Sequence, residues 1–119
     1  VFHGKAGFIQ YDIGRMKDHS QAIYDLTGKR IHQTNPPWPQ ANMPDEIISI
    51  LGQNKLDELI KISQKLAEDI DYSRVDFFLS EGKWVFGEFT NYHNSCQPQS
   101  DEWEVLAGNL WLKRQPEKK

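Results

Sequence analysis

The sequence predicts an α+β fold, an antiparallel sheet with covering helices. Three observations carry that expectation. Short strand-like runs recur through residues 1–26, joined by links too short for a helical crossover, so neighbouring strands run antiparallel. Apolar residues from Leu56 to Ile70 repeat at helical spacing, with Lys, Asp, Glu and Gln opposite. Between Arg74 and Asn91, two aromatic and β-branched runs flank Ser80-Glu81-Gly82, as a β-hairpin requires.

The elements follow in order. Val1 to His3 reads as one short strand and Phe8 to Ile13 as a second, separated by a turn at Gly4-Lys5-Ala6-Gly7. That turn lacks the spacing and the Lys-Ser/Thr ending of a Walker A phosphate loop. Residues 14–20 form a polar connection, and Gln21 to Leu26 gives a third strand before Thr27-Gly28. His32 to Ala41 holds three of the six prolines and is a loop. Pro44, Asp45 and Glu46 look like a helix first turn, with the run Ile47 to Leu51 closed by Gly52. Asn54 is placed to cap a longer helix whose inward residues are Leu56, Leu59, Ile60, Ser63, Leu66, Ala67 and Ile70. Ser100 is placed to cap a last helix over Asp101–Ala107, ended by Gly108, after which Leu110, Trp111 and Leu112 dock.

At 119 residues the chain is one domain by length, taken as residues 1–112 followed by a disordered basic tail at 113–119. Its 38% hydrophobic and 26% charged residues are those of a soluble globular protein. A net charge of −3 argues against a nucleic-acid surface. No apolar run approaches the roughly 20 residues of a membrane span. Cys96 is the one cysteine, which excludes an internal disulfide and is compatible with a cytoplasmic location. His93 and Cys96 have three-residue spacing but no second pair of ligands beside them, which argues against zinc. The chain is strand-like from its first residue and has no Met at position 1, so a segment of a longer protein is expected.

Within the hairpin, Arg74, Asp76 and Glu88 are charges that a plain core strand would not carry. If Ser80-Glu81-Gly82 is a three-residue loop with Gly82 left-handed, Leu79 pairs with Lys83, Asp76 with Phe86 and Arg74 with Glu88. One face then carries Arg74, Asp76, Phe78, Trp84, Phe86, Glu88 and Thr90. The other carries Val75, Phe77, Leu79, Val85, Gly87 and Phe89, a core face under the long helix. Asp76 and Glu88 become diagonal neighbours, roughly 7 Å apart. Two carboxylates at that distance repel by about 2 kcal/mol at an effective dielectric of about 20. Two uses of the face stand open: a half-site for a hard divalent cation and its phosphates, or a solvated face on which Arg74 simply pairs with Glu88. A two-residue loop would send Glu88 to the opposite face.

Arg74-Val75-Asp76-Phe77-Phe78 and Phe86-Gly87-Glu88-Phe89-Thr90, with Tyr92-His93 after them, resemble the signatures of the TupA-like ATP-grasp proteins of bacterial polysaccharide and teichuronopeptide biosynthesis. Looser similarity covers Phe2-His3-Gly4-Lys5, Tyr24-Asp25, Pro44 with the helix after it, and Trp103 to Gly108. The resemblance implies the C-terminal lobe of an ATP-grasp fold, and a ligase that joins a carboxylate to an amine through an acyl-phosphate made with Mg²⁺ and ATP. It implies Asp76 and Glu88 as Mg²⁺ ligands, with Thr90 and Asn91 beside the metal–nucleotide. Arg74 would steady the transferred phosphoryl, and Arg15 would be a substrate-side or phosphate-side arginine. Its partners would be a nucleotide and a small-molecule or glycan substrate. The lobe carrying the glycine-rich loop precedes this region in the family, so the fragment alone is expected to be inactive.

Two other readings remain. One is a non-catalytic binding or scaffold module, using Trp38, Trp84 and Tyr92 against a glycan or protein. The other is a Mg²⁺-dependent nuclease, for which Asp76 with Glu81-Gly82-Lys83 mimics a D…ExK motif. That mimicry is poor, since Glu81 and Lys83 belong to the turn.

Overall fold

A computed structural model of the chain describes residues 1–14, 18–40, 43–90 and 100–113. Its elements are β1 (Ile9–Ile13), β2 (Ser20–Tyr24), α1 (Ile48–Leu51), α2 (Gln53–Leu66), β3 (Arg74–Ser80), β4 (Lys83–Thr90) and α3 (Asp101–Lys113). The fold is α+β. In place of one sheet there are two small antiparallel ones among the described residues, β1–β2 and β3–β4.

The core lies on the first of these sheets. Ile9 pairs with Tyr24 and Tyr11 with Ala22, so these four residues share one face. On that face Ala22 and Tyr24 pack with Met43, Ile47 and Leu56, and Ile9, Tyr11, Ile48, Leu51 and Ile60 close around them. Burial pushes the Tyr24 hydroxyl up to about 12. It donates a 2.7 Å hydrogen bond to the Pro44 carbonyl, which anchors the loop entering α1. The third strand stops at Tyr24, short of the expected Leu26. Asp25 Oδ1 accepts from the amides of Thr27 and Lys29 and from the Thr27 hydroxyl, turning the chain there.

Gly52, at φ 79°, ends α1 and begins α2, so Asn54 lies inside α2 and caps nothing. Leu56, Ser63 and Ala67 are buried as expected, but Leu66 is exposed. Ser100 does cap α3, accepting from the Trp103 amide at 3.2 Å. This helix passes through Gly108 and ends at Lys113. A mid-helix glycine costs only about 1 kcal/mol, and packing beyond it offsets that. Trp111 lies 4.6 Å from the His3 ring, and Leu110 fills the space beside Gly7, where an added Cβ would stand 2.7 Å from Leu110 Cδ1. Leu112 does not dock, being 67% exposed. Residues 114–119 of the expected tail lie outside the described residues.

Two features attach the β3–β4 hairpin. Val1, His3 and Phe2 bond or bridge to Ser73, Asp71 and Tyr72, just ahead of β3. At the far end, Trp84 Nε1 donates to the Lys55 carbonyl of α2 at 3.0 Å. The covering helix thus meets the hairpin near its tip and packs its apolar face on β1–β2. That corrects the expected core face: Leu79, Val85 and Phe89 remain 43%, 47% and 42% exposed.

The hairpin turn also departs from expectation. Ser80 pairs with Lys83, leaving a two-residue turn with φ 52° at Glu81 and 75° at Gly82. Both signs are those of a type I′ turn, whose twist suits the flanking strands better than the three-residue loop. Glutamate is a poor occupant of the left-handed region, where Asn is favoured. Glu81→Asn is expected to stabilise the chain by about 0.5 kcal/mol and raise its melting temperature by a few degrees. Thermal unfolding followed by circular dichroism checks this; an unchanged or lower midpoint would contradict the turn assignment.

Candidate functional site

A two-residue turn in a regular ladder would set Asp76 opposite Gly87 and turn Glu88 to the other side. The ladder is not regular. From the turn, Leu79 pairs with Trp84, Phe78 with Val85 and Phe77 with Phe86. The register then slips by one residue, and Asp76 pairs with Glu88, Val75 with Phe89 and Arg74 with Thr90. Gly87 is the surplus residue of a β-bulge. A Cβ there would stand 3.0 Å from the Phe78 ring and 3.1 Å from the Asp76 carbonyl oxygen, so the bulge closes tightly only around glycine.

The slip decides the faces. Arg74, Asp76, Phe78 and Ser80 lie with Lys83, Val85, Glu88 and Thr90. Val75, Phe77 and Leu79 lie with Trp84, Phe86 and Phe89. The expected placement of Trp84 and Phe86 on the charged face is corrected, as is that of Val85 on the apolar one. The rings agree with the new assignment. Phe77 meets Trp84 at 6.2 Å and Phe86 at 6.0 Å, and Phe86 meets Phe89 at 5.1 Å. Asp76 and Glu88 keep a common face, but as direct partners and no longer as diagonal neighbours. Arg74 stands opposite Thr90 instead of Glu88.

Arg74 ties this face together. Its Nε donates to Asp76 Oδ1 at 2.8 Å and its Nη2 to Asp76 Oδ2 at 2.9 Å, a fork-to-carboxylate bridge. The same Nη2 reaches Thr90 Oγ1 at 3.3 Å and lies 3.6 Å from Glu88 Oε1. Arg74 and Asp76 side chains are about one-fifth exposed, while Glu88 is 64% exposed. Tyr72, two residues ahead of Arg74, senses this cluster. Burial pushes its hydroxyl up to about 12; the positive charge of Arg74 opposes that, and Asp76 and Glu104 reinforce it.

Asp76, Glu88 and Thr90 offer only oxygen donors, the type that a hard cation such as Mg²⁺ takes. Among the described residues no group of three or more His, Cys, Asp or Glu side chains converges. Two carboxylates and a hydroxyl would leave such a cation to draw the rest of its shell from phosphate and water. Arg15, Asn91, Tyr92, His93 and Cys96 lie outside the described residues.

Sequence reasoning missed three features. Tyr72 carried no signal. Gly87 did, because a lone glycine between two aromatic strand residues marks a bulge. The third is a polar cluster on the face of β1–β2 opposite Tyr24 and Ala22. Burial alone pushes the Asp12 carboxyl up, but hydrogen bonds from Gln10, Gln21 and His19 outweigh it and hold it below the usual aspartate value. His19 Nε2 lies 2.8 Å from Asp12 Oδ1, and its ring lies 4.2 Å from Trp38.

With fold and geometry in hand, the chain can be set among known proteins. The sequence model of one family, described as TupA-like ATPgrasp, matches residues 1–111. The chain belongs to the TupA-like ATP-grasp family, and its role is ATP-grasp-related. No curated protein and no solved structure matches it. Among the described residues no helix is long and apolar enough to cross a membrane.

Gly87→Ala is expected to destabilise the chain by about 1–2 kcal/mol, since its Cβ must displace the Phe78 ring and the Asp76 peptide. Urea unfolding measures this. A wild-type midpoint in the variant would show that the bulge tolerates a side chain.

Proposed function

We propose that this chain is the magnesium- and phosphate-facing part of an ATP-grasp carboxylate–amine ligase, working in the cytoplasm in the synthesis of cell-surface polysaccharide. Family membership supports the class of chemistry. The observation that carries the site is the direct pairing of Asp76 with Glu88, with Arg74 and Thr90 beside them on the same face. In this reading Asp76 and Glu88 hold Mg²⁺, and Thr90 and Asn91 flank the metal–nucleotide. Bound there, the ion neutralises charge on the phosphates of ATP. Arg74 and Arg15 serve the transferred phosphoryl or the acceptor, positioning it and balancing its charge. By itself the chain turns over neither ATP nor a ligase substrate.

A specific observation favours a second reading. Leu79, Phe86 and Phe89, on the aromatic face of the hairpin, are all more than 40% exposed, an apolar surface that a non-catalytic binding module would present to a partner.

Calorimetric titration separates the two. Mg–ATP is expected to bind the chain weakly, and Asp76→Ala or Glu88→Ala each to weaken it by about tenfold or more. Indifference to both substitutions would support the binding-module reading, and ligase turnover by the chain alone would overturn the claim of inactivity.

A further inference from the structure

One atom occupies the place where the candidate ligands converge. Arg74 Nη2 contacts oxygens of three residues, at 2.9 Å to Asp76 Oδ2, 3.3 Å to Thr90 Oγ1 and 3.6 Å to Glu88 Oε1. These are the residues assigned above to the metal and its nucleotide. A positive group drawn to three oxygens from two strands stands in for the cation that the same oxygens suit.

The arrangement has a cost for metal entry. The fork from Arg74 uses both Asp76 oxygens from the side on which a chelating ion would approach. It also lowers the local charge. Asp76 and Glu88 carry two negative charges between them, and the guanidinium leaves a net of one. A divalent ion arriving beside Arg74 meets half the net charge it would meet at the bare pair, because the guanidinium repels it. With Arg74 and Asp76 mostly shielded from water, that repulsion is weakly screened.

We propose that Arg74 is a resident counter-ion of the Asp76–Glu88 pair, which a divalent cation must displace in order to bind. The idea rests on the metal reading of the pair and adds a regulatory consequence. Without metal the pair is half-neutralised and held in order by Arg74. Metal entry releases the guanidinium, which is then free to face an anionic group such as a phosphoryl. Metal and anion are thereby coupled: an anion that takes up Arg74 favours the metal, and the metal favours the anion.

The test uses Mg²⁺ alone, without nucleotide. Calorimetry on the wild-type chain and on Arg74→Ala is expected to show Mg²⁺ binding on the order of tenfold tighter in the variant, because the competitor is gone. Asp76→Ala should abolish binding in either background. A second measurement needs no substitution. In the wild-type chain, the Arg74 Nε–H resonance should be protected from exchange without metal and lose that protection as Mg²⁺ saturates the site. Equal or weaker Mg²⁺ binding by Arg74→Ala would overturn the counter-ion role and leave the metal reading standing, as would an Nε–H signal indifferent to saturating Mg²⁺. Absence of Mg²⁺ binding by both chains at tens of millimolar would overturn the metal reading and this proposal with it. Should Arg74→Ala fail to fold, the wild-type resonance decides.

Discussion

Between the turn and Glu88, β4 is one residue longer than a regular ladder to β3 accommodates, and the surplus is taken up at Gly87. The charged face depends on that single adjustment. A type I′ turn at Glu81-Gly82 by itself would put Glu88 among the aromatic residues, where a carboxylate would lose hydration without gaining a partner. The bulge restores Glu88 to the side of Asp76 and brings Thr90 opposite Arg74. It also returns Phe89 to the side of Phe86, so one slip sorts both charge and aromatic surface. Glycine is required because the bulged strand passes within van der Waals distance of the Asp76 peptide and the Phe78 ring.

The rest of the chain gives this hairpin a fixed base and a free body. Tyr24, Leu56 and Ile47 are fully buried, yet all belong to the layer formed by β1–β2 with α1 and α2. The hairpin is joined to that layer by the strand pairing of residues 1–3 with 71–73 and by Trp84 on α2. Its charges are ordered by the local fork between Arg74 and Asp76, with little help from the core. Such a fork, about one-fifth exposed, is strong enough to hold a side chain in place.

Much of this was legible in the residues. Apolar spacing located α2, Ser100 located the start of α3, and aromatic runs located both hairpin strands. The α+β class followed from them, and the family from the resemblance of Arg74 to Phe78 and Phe86 to Thr90 to its signatures. What the residues hid was cooperative. A turn of two residues or three differs by a small conformational preference, and here it was coupled to a bulge at Gly87, five residues beyond Gly82, that only the whole ladder fixes. Counting from one loop type gave Asp76 and Glu88 a shared face for the wrong reason, since two departures from the assumed ladder cancelled. Gly108 read as a stop because local propensity favours one; contacts of Leu110 and Trp111 with residues 3–7 overrode it. The position of α2 was likewise a tertiary choice between two apolar sheet faces that sequence pattern alone does not rank.

The central claim is that Asp76 and Glu88, brought opposite each other by the Gly87 bulge, form one divalent-cation site. Paramagnetic line broadening by Mn²⁺ at substoichiometric concentration reads this directly on the wild-type chain. The backbone amides of Asp76, Glu88 and Thr90 should broaden first and together, and added Mg²⁺ should restore them. Broadening centred elsewhere, or spread evenly over the acidic surface residues, would contradict it.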